Sequence, residues 1–273
     1  MKTVAIIGYP LGHTISPAMH NAAYKELNLD YEYVPLEVPP QDLAKAVEGL
    51  RALHFAGFNV TLPHKETIVP YLDEVTQLAR RIGAVNTVQN QEGKLIGYNT
   101  DGPGFIDSLK AEAGFNPQGK KVVILGAGGA GRAVAISLSE NQAGEITLFD
   151  AAPEKAEKLA EYVGGKTSQN LQKDIDEAQL LVNCTPIGLH PKSEESPLPE
   201  NLKLHKKLTV YDLVYNPKET QLLKTAKAAG AKAVTGLGML VRQGALAFTV
   251  FTDKPAPFKI MFEAAEEALA QQL

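Results

Sequence analysis

Val122-Val-Ile-Leu125-Gly126-Ala127-Gly128-Gly129-Ala130-Gly131-Arg132 decides how the second half of the chain is read. Four apolar residues in a row describe a strand buried on both faces. Gly126, Gly128 and Gly131 then fall at G-x-G-x-x-G spacing, after that strand and at the start of a helical pattern. Gly126 permits the tight turn, Gly128 lets backbone approach a diphosphate, and Gly131 lets the helix sit close to the strand. The free amides of the turn and the helix dipole favour an anion, and Gly126, Ala127, Gly128, Gly129 and Ala130 are the expected cofactor-binding residues. The bland alternative is a strand–helix turn without a ligand.

An acidic residue at the end of the next strand weighs against that alternative. Ile146-Thr-Leu-Phe-Asp150 closes with a carboxylate 24 positions after Gly126, near the separation at which such a group meets ribose hydroxyls. Asp150 is also a good helix cap. Ala151, Ala152 and Pro153 follow it, with no Arg to hold a 2′-phosphate.

Outward from this stretch, strand and helix patterns alternate through the chain, which predicts α/β layers with mainly parallel sheets. In the first half, Thr3–Ile7, Tyr31–Val38 and Phe55–Thr61 read as strands, and 85–89 with 94–98 as a hairpin around Glu92-Gly93. Helices are expected over Ser16–Asn28, capped by Ser16 with Pro17 in first position, and over Gln41–Leu53. A helix interrupted at Pro70 is expected over Lys65–Ile82, and another over Gly102–Ala113 before the turn-rich 114–120, where this first series ends. Beyond it come strands Val122–Leu125, Ile146–Phe149, Leu180–Asn183, Thr209–Leu213 and Ala233–Thr235, with helices from Gly129 and over Pro153–Tyr162. Phe258, Phe262, Ala265 and Leu269 form one apolar helical face that has to pack on something, and a return to the first domain is expected.

Composition narrows the function classes. The 27 basic and 31 acidic residues among 273 leave a net charge of −4, so no basic field attracts nucleic acid. Cys184 is the single cysteine, which excludes a disulfide within the chain and a cysteine-based zinc site, and fits a reducing, cytoplasmic setting. It follows a buried strand and reads as an inert core thiol. The six histidines show no metal-ligand spacing; His13 and His64 are assigned hydrogen-bonding or packing roles. The most membrane-like window, Val122–Ser137, is glycine-rich and broken by Arg132, so no membrane partner is expected.

Polar residues gather where a catalytic site would need them. Asn59, Thr61 and Lys65 lie at the C-terminal end of a predicted strand, the end at which open α/β sheets bind ligands. Asn86-Thr87 and Asn99-Thr100-Asp101-Gly102 add amides, hydroxyls and a carboxylate. Each alone reads as turn chemistry, and Asp101 as a cap for the helix from Gly102. Together they suit a small polyhydroxylated ligand.

These stretches, with Gly8-Tyr-Pro10-Leu-Gly12-His13-Thr14-Ile-Ser16-Pro17, Asn183-Cys-Thr185-Pro-Ile-Gly188, Asp212-Leu-Val-Tyr215-Asn-Pro217 and Gly236-Leu-Gly238-Met-Leu-Val-Arg-Gln243-Gly244, resemble the shikimate dehydrogenase family in order and over nearly the whole chain. The resemblance implies an oxidoreductase of the chorismate pathway that interconverts 3-dehydroshikimate and shikimate. It implies a substrate-binding and catalytic domain at 1–101, a Rossmann-type dinucleotide-binding domain at 102–237, and C-terminal helices at 238–273 returning to the first. Lys65 and Asp101 match the family's catalytic pair. Thr14, Ser16, Asn59, Thr61, Asn86, Tyr215 and Gln243 match its substrate contacts, and Leu213 and Gly236 positions beside the nicotinamide. Thr14 replaces the usual first Ser. The family's default cofactor is NADP, but Asp150 and the missing Arg at 151 favour NAD. A monomer or homodimer without a metal is expected. The competing readings are an NAD-dependent quinate/shikimate dehydrogenase of quinate catabolism, a non-catalytic shikimate sensor, and more remotely a folate- or tRNA-linked Rossmann enzyme.

Overall fold

The computed structural model describes residues 1–12 and 14–271; the role expected of His13 lies outside them. The chain forms two compact units. One comprises residues 1–104 and those from 241 on, the other Phe105–Leu240.

In the first unit the elements are β1 (Lys2–Gly8), α1 (Ser16–Glu26), β2 (Tyr31–Glu37), α2 (Leu43–Ala52), β3 (Gly57–Val60), β4 (Glu74–Val75), α3 (Gln77–Ile82), β5 (Thr87–Gln91), β6 (Lys94–Tyr98) and the start of α4 (Asp101–Ala113). Its sheet runs β2-β1-β3-β5-β6-β4. β1 pairs parallel with β2 and β3, whereas β5 runs antiparallel to both β3 and β6. That reversal positions the site. It brings the start of β5 to the edge where β3 and β6 end, with Asn59 opposite Thr87 and Thr87 opposite Tyr98. The hairpin turns at Glu92 (φ 52°) and Gly93 (φ 94°), the left-handed pair that a two-residue turn requires. Ala5, Ile7, Phe58, Val60, Val88 and Leu95 share one core with Val47 and Leu50 of α2.

The second unit continues with β7 (Lys121–Leu125), α5 (Gly129–Glu140), β8 (Glu145–Phe149), α6 (Pro153–Val163), β9 (Lys166–Thr167), α7 (Leu171–Glu177), β10 (Leu180–Asn183), β11 (Thr209–Asp212), α8 (Gln221–Ala228) and β12 (Lys232–Thr235). Its sheet is parallel throughout, in the order β12-β11-β10-β7-β8-β9. Alternate β7 residues serve opposite layers. Val122 and Ile124 pack with α5 and α6, Val123 and Leu125 with α7 and α8. A sheet covered on both faces explains why its strands read as unbroken apolar runs.

α9 (Leu237–Thr252) and α10 (Phe258–Ala270) complete the chain. α10 packs on α1 of the first unit. Its most buried stripe is Met261, Ala265 and Leu269, with Phe258 half-buried under the Arg242 guanidinium, 4.7 Å from the ring centre.

Two expectations about these elements fail. Lys65–Ile82 is not a helix broken once: it is a series of turns, a 3₁₀ turn at Val69–Tyr71, the short β4, and then α3. Pro70 cannot continue a helical ladder, the Lys65 carbonyl accepts from Val85 N–H at 2.8 Å, and Asp73 accepts from Leu95 N–H at 2.7 Å; the segment is drawn onto the sheet instead. Ser16 does not cap α1. The cap position is Ile15, with Pro17 in the first turn, and the Ser16 side chain is buried.

Candidate functional site

Lys65 follows the turn after β3 and Asp101 opens α4, yet Lys65 Nζ lies 2.7 Å from Asp101 Oδ2. The side chains are 18% and 7% exposed, so the pair is half-withdrawn from water and weakly screened. Two contacts fix the turn that carries Lys65. One is the bond from Val85 N–H to the Lys65 carbonyl. The other is the buried His64, whose Nε2 lies 2.6 Å from the Val38 carbonyl.

Asp101 is not the cap of its helix. Asn99 Oδ1 accepts from Asp101 N–H (3.1 Å) and Gly102 N–H (3.3 Å), while Asn99 Nδ2 donates to the Ala84 carbonyl. The Asp101 carboxylate is thereby left for side-chain partners. Its second oxygen accepts from Asn86 Nδ2 at 2.9 Å.

Asn86 is the hub of this edge. Its Nδ2 also lies 2.8 Å from Thr100 Oγ1 and 3.1 Å from Gln243 Oε1. Its Oδ1 accepts from Thr100 N–H and the Thr87 hydroxyl. Gln243 reaches Asn86 from α9 because α4 and α9 nearly touch: a Cβ added to Gly104 would stand 2.8 Å from Gln243 N. Asn59 donates from Nδ2 to the Asn86 carbonyl and Thr87 Oγ1, both at 3.0 Å. Lys65, Asp101, Asn59, Asn86 and Gln243 thus form one connected polar cluster. Thr61 lies just past β3 at the same edge, half-buried. Thr14 Oγ1 accepts from Ser16 N–H at 3.4 Å, ahead of α1.

The glycine turn of the second unit takes the shape that an anion-binding cradle needs. Gly126 is left-handed (φ 96°), and a Cβ on Gly131 would stand 2.0 Å from the Gly126 carbonyl oxygen, so only glycine fits there. A Cβ on Gly128, which precedes α5, would meet nothing within 4 Å. The first-turn amides of Gly129 and Ala130 have no carbonyl partner within the helix itself. The turn is therefore tight on its protein side and open at Gly128, and it fits a dinucleotide's phosphates.

Asp150 braces this turn. Oδ2 accepts from Ala127 N–H at 2.7 Å and Oδ1 from Ala152 N–H at 2.8 Å. Ala152 holds the cap position of α6 without a side-chain bond, so Asp150 supports the approach to that helix without capping it. Leu213 and Gly236 back onto one another: a Cβ on Gly236 would stand 2.1 Å from the Leu213 carbonyl oxygen. Tyr215 is half-buried in the loop after β11, and burial raises its pKa.

Sequence reasoning did not single out the buried network beneath these loops. Asp212 accepts from Thr220 Oγ1 (2.6 Å), Asn183 Nδ2 (2.9 Å) and Val214 N–H (3.0 Å). Burial raises its pKa despite the three donors. Asn183 Oδ1 in turn accepts from the Thr185 amide and hydroxyl. Two adjacent parallel strands ending in Asn and Asp at paired positions were the available signal. Burial, then the Asp212 charge, pushes the Cys184 thiol up, as an inert thiol requires. Among the described residues no group of His, Cys, Asp and Glu is arranged to hold a metal ion, and no helix is long and apolar enough to cross a membrane.

Three family profiles match the chain: the shikimate dehydrogenase substrate binding domain over residues 6–88, shikimate / quinate 5-dehydrogenase over 109–213, and the shikimate 5′-dehydrogenase C-terminal domain over 236–266. The shikimate dehydrogenase (NADP(+)) of Methanopyrus kandleri is 46% identical, across 98% of this chain and 96% of its own. Shikimate 5-dehydrogenase of Thermus thermophilus, solved with NADP(H) and shikimate, superposes with a TM-score of 0.92 at 43% identity, over 98% of this chain and all of its own. The Listeria monocytogenes enzyme of that name, solved with shikimate and NAD, gives 0.88 at 38% identity, over 96% of each chain.

Proposed function

The chain belongs to the shikimate dehydrogenase family, and from that premise we propose that it catalyses the reversible, nicotinamide-dependent reduction of 3-dehydroshikimate to shikimate. The observation that carries this reading is the Lys65–Asp101 pair, an ammonium and a carboxylate 2.7 Å apart at a sheet edge lined with amides. Such a pair suits an oxygen that alternates between carbonyl and alcohol.

In the reductive direction Lys65 Nζ gives a proton to the carbonyl oxygen as charge develops there. Asp101 keeps the ammonium on that oxygen and accepts from the new hydroxyl; in reverse, the Lys65 amine takes the hydroxyl proton. Asn86 holds the Asp101 carboxylate through Oδ1, leaving Oδ2 to Lys65. Ser16 and Thr14 receive the substrate carboxylate, and Asn59, Thr61, Asn86, Gln243 and Tyr215 its hydroxyls. A reduced nicotinamide, when bound, supplies the hydride. The turn Gly126–Ala130 would hold its diphosphate, Asp150 its ribose, and Leu213 and Gly236 its ring.

Within this function we read the cofactor as NAD in preference to NADP. Asp150 places a carboxylate where a 2′-phosphate would lie, and Ala151 offers no cation to offset it. Each Asp150 oxygen already accepts one amide and retains a lone pair for a ribose hydroxyl. The relatives themselves favour NADP, by the name of the Methanopyrus relative and the NADP(H) of the Thermus structure, and the Listeria structure holds NAD; the NAD reading rests on Asp150 and Ala151 of this chain. Steady-state kinetics crossing shikimate and quinate with NAD and NADP test both statements. Turnover of shikimate with a higher kcat/KM for NAD is expected. No turnover with either cofactor refutes the activity, and a strong preference for NADP refutes the assignment of Asp150.

A further inference from the structure

Asn59, assigned to substrate, is held by a residue from another strand. Tyr33, in β2, is 2% exposed. Its hydroxyl donates to Asn59 Oδ1 at 2.7 Å. Burial holds the phenol's pKa well above its ordinary value, so the group keeps its proton and remains a donor.

The ring has little freedom to leave this place. It stacks on the buried His20 with centroids 4.3 Å apart and planes 10° from parallel. β2 is the sheet edge, so its outer backbone groups lack a strand partner. For Tyr33 the Asn21 side chain of α1 supplies one: Tyr33 N–H donates to Asn21 Oδ1 at 2.8 Å, and Asn21 Nδ2 donates to the Tyr33 carbonyl at 3.0 Å. Backbone, ring and hydroxyl are each held by a different group.

The consequence falls on Asn59. Both of its amide hydrogens are committed, to the Asn86 carbonyl and Thr87 Oγ1. With Tyr33 donating to its oxygen, the amide has one orientation and one remaining capacity, a lone pair on Oδ1. We infer that Tyr33 is a positioning residue for substrate recognition: its hydroxyl locks Asn59 as an acceptor toward a substrate hydroxyl. The inference rests on the functional reading above.

Tyr33→Phe keeps the ring and deletes the hydroxyl. The expected result is a Kd for shikimate, by calorimetry, and a KM raised about ten-fold, the loss of about one hydrogen bond. kcat and the cofactor KM stay within about two-fold. The penalty disappears for the one monodeoxy analogue of shikimate that lacks the hydroxyl received by Asn59, which simple loosening of the core would not produce. Tyr24→Phe is the control, because Tyr24 lies in the same aromatic cluster and its buried hydroxyl has no hydrogen-bond partner among the described residues; its shikimate Kd stays at the wild-type value. Should Tyr33→Phe fail to fold, Asn21→Ala, which releases only the Tyr33 backbone, is expected to raise the Kd about three-fold, and an unchanged Kd there overturns the inference. An unchanged Kd in folded Tyr33→Phe, or an equal penalty for every analogue, also overturns it. Wild-type protein that fails to bind shikimate overturns the functional reading itself, a result distinct from normal wild-type binding with an indifferent Tyr33→Phe.

Discussion

Asn99 caps the helix that Asp101 begins, accepting the Asp101 amide at 3.1 Å, and so leaves the Asp101 carboxylate to meet Lys65. Had Asp101 turned back to cap α4, its oxygens would have been spent on backbone. Asn99→Ala should lower stability by about 1 kcal/mol, the usual cost of a lost cap. It should also lower kcat more than it raises the KM for shikimate, because Asp101 becomes a competing cap. Asn99→Asp retains the accepting oxygen but loses the Nδ2 bond to the buried Ala84 carbonyl, so it should recover kcat more fully than thermal stability. Melting curves beside steady-state kinetics separate the two effects.

The glycines of the cradle should respond in opposite ways. Gly131→Ala forces a methyl against the Gly126 carbonyl, which only backbone movement relieves; a loss of roughly 2 kcal/mol or more in unfolding free energy is expected. Gly128→Val enters open space. It should leave the denaturation midpoint near wild type while raising the KM for the nicotinamide cofactor at least about ten-fold. Urea titrations and cofactor kinetics on both variants check the contrast.

Cofactor choice should follow charge at the end of β8. Asp150→Asn with Ala151→Arg removes a carboxylate and adds a guanidinium, and should shift the ratio of kcat/KM values toward NADP by about a hundred-fold or more. The Asn oxygen keeps the Ala127 amide, so the turn should hold, while the bond to the Ala152 amide is lost to solvent. Kinetics with both cofactors give the ratio directly.

Acid stability should depend on His20. Burial pushes its pKa down to about 3, so the folded protein holds it neutral while the unfolded chain protonates it near pH 6.5. Between those values the unfolded state binds the extra proton, so stability is lost as pH falls from about 6.5 toward 3. His20→Phe keeps a ring against Tyr33 and removes this contribution. Its melting temperature should fall less than the wild type's over that window, the difference corresponding to a few kcal/mol, on the order of the pKa shift.

The second unit is legible in the sequence because its strands are covered on both faces: continuous apolar runs alternating with helical patterns leave few other arrangements. The spacing of Gly126, Gly128, Gly131 and Asp150 likewise reports a local turn, which needs no distant partner. The first unit yields less. Its strand order, with β5 reversed between β3 and β6, depends on pairings that no local pattern announces. Lys65–Ile82 has helix-compatible residues, but its amides and carbonyls find sheet partners, so tertiary bonding overrides local preference. Asn99 stays hidden because Asp101-Gly102 is itself a good cap sequence. Tyr33 stays hidden because a tyrosine in an edge strand reads as packing, and its partner Asn59 is 26 residues away.

The central claim is that Lys65 and Asp101 act together at one alcohol. Lys65→Met retains the length of the side chain and removes the transferable proton. Its kcat for shikimate oxidation, with the shikimate Kd measured alongside, tests the claim most directly. A fall of about a thousand-fold in kcat, with Kd within about three-fold of wild type, is the expected outcome for the loss of a general acid–base group. A kcat within about ten-fold of wild type would show that the proton moves by another route and would contradict the mechanism.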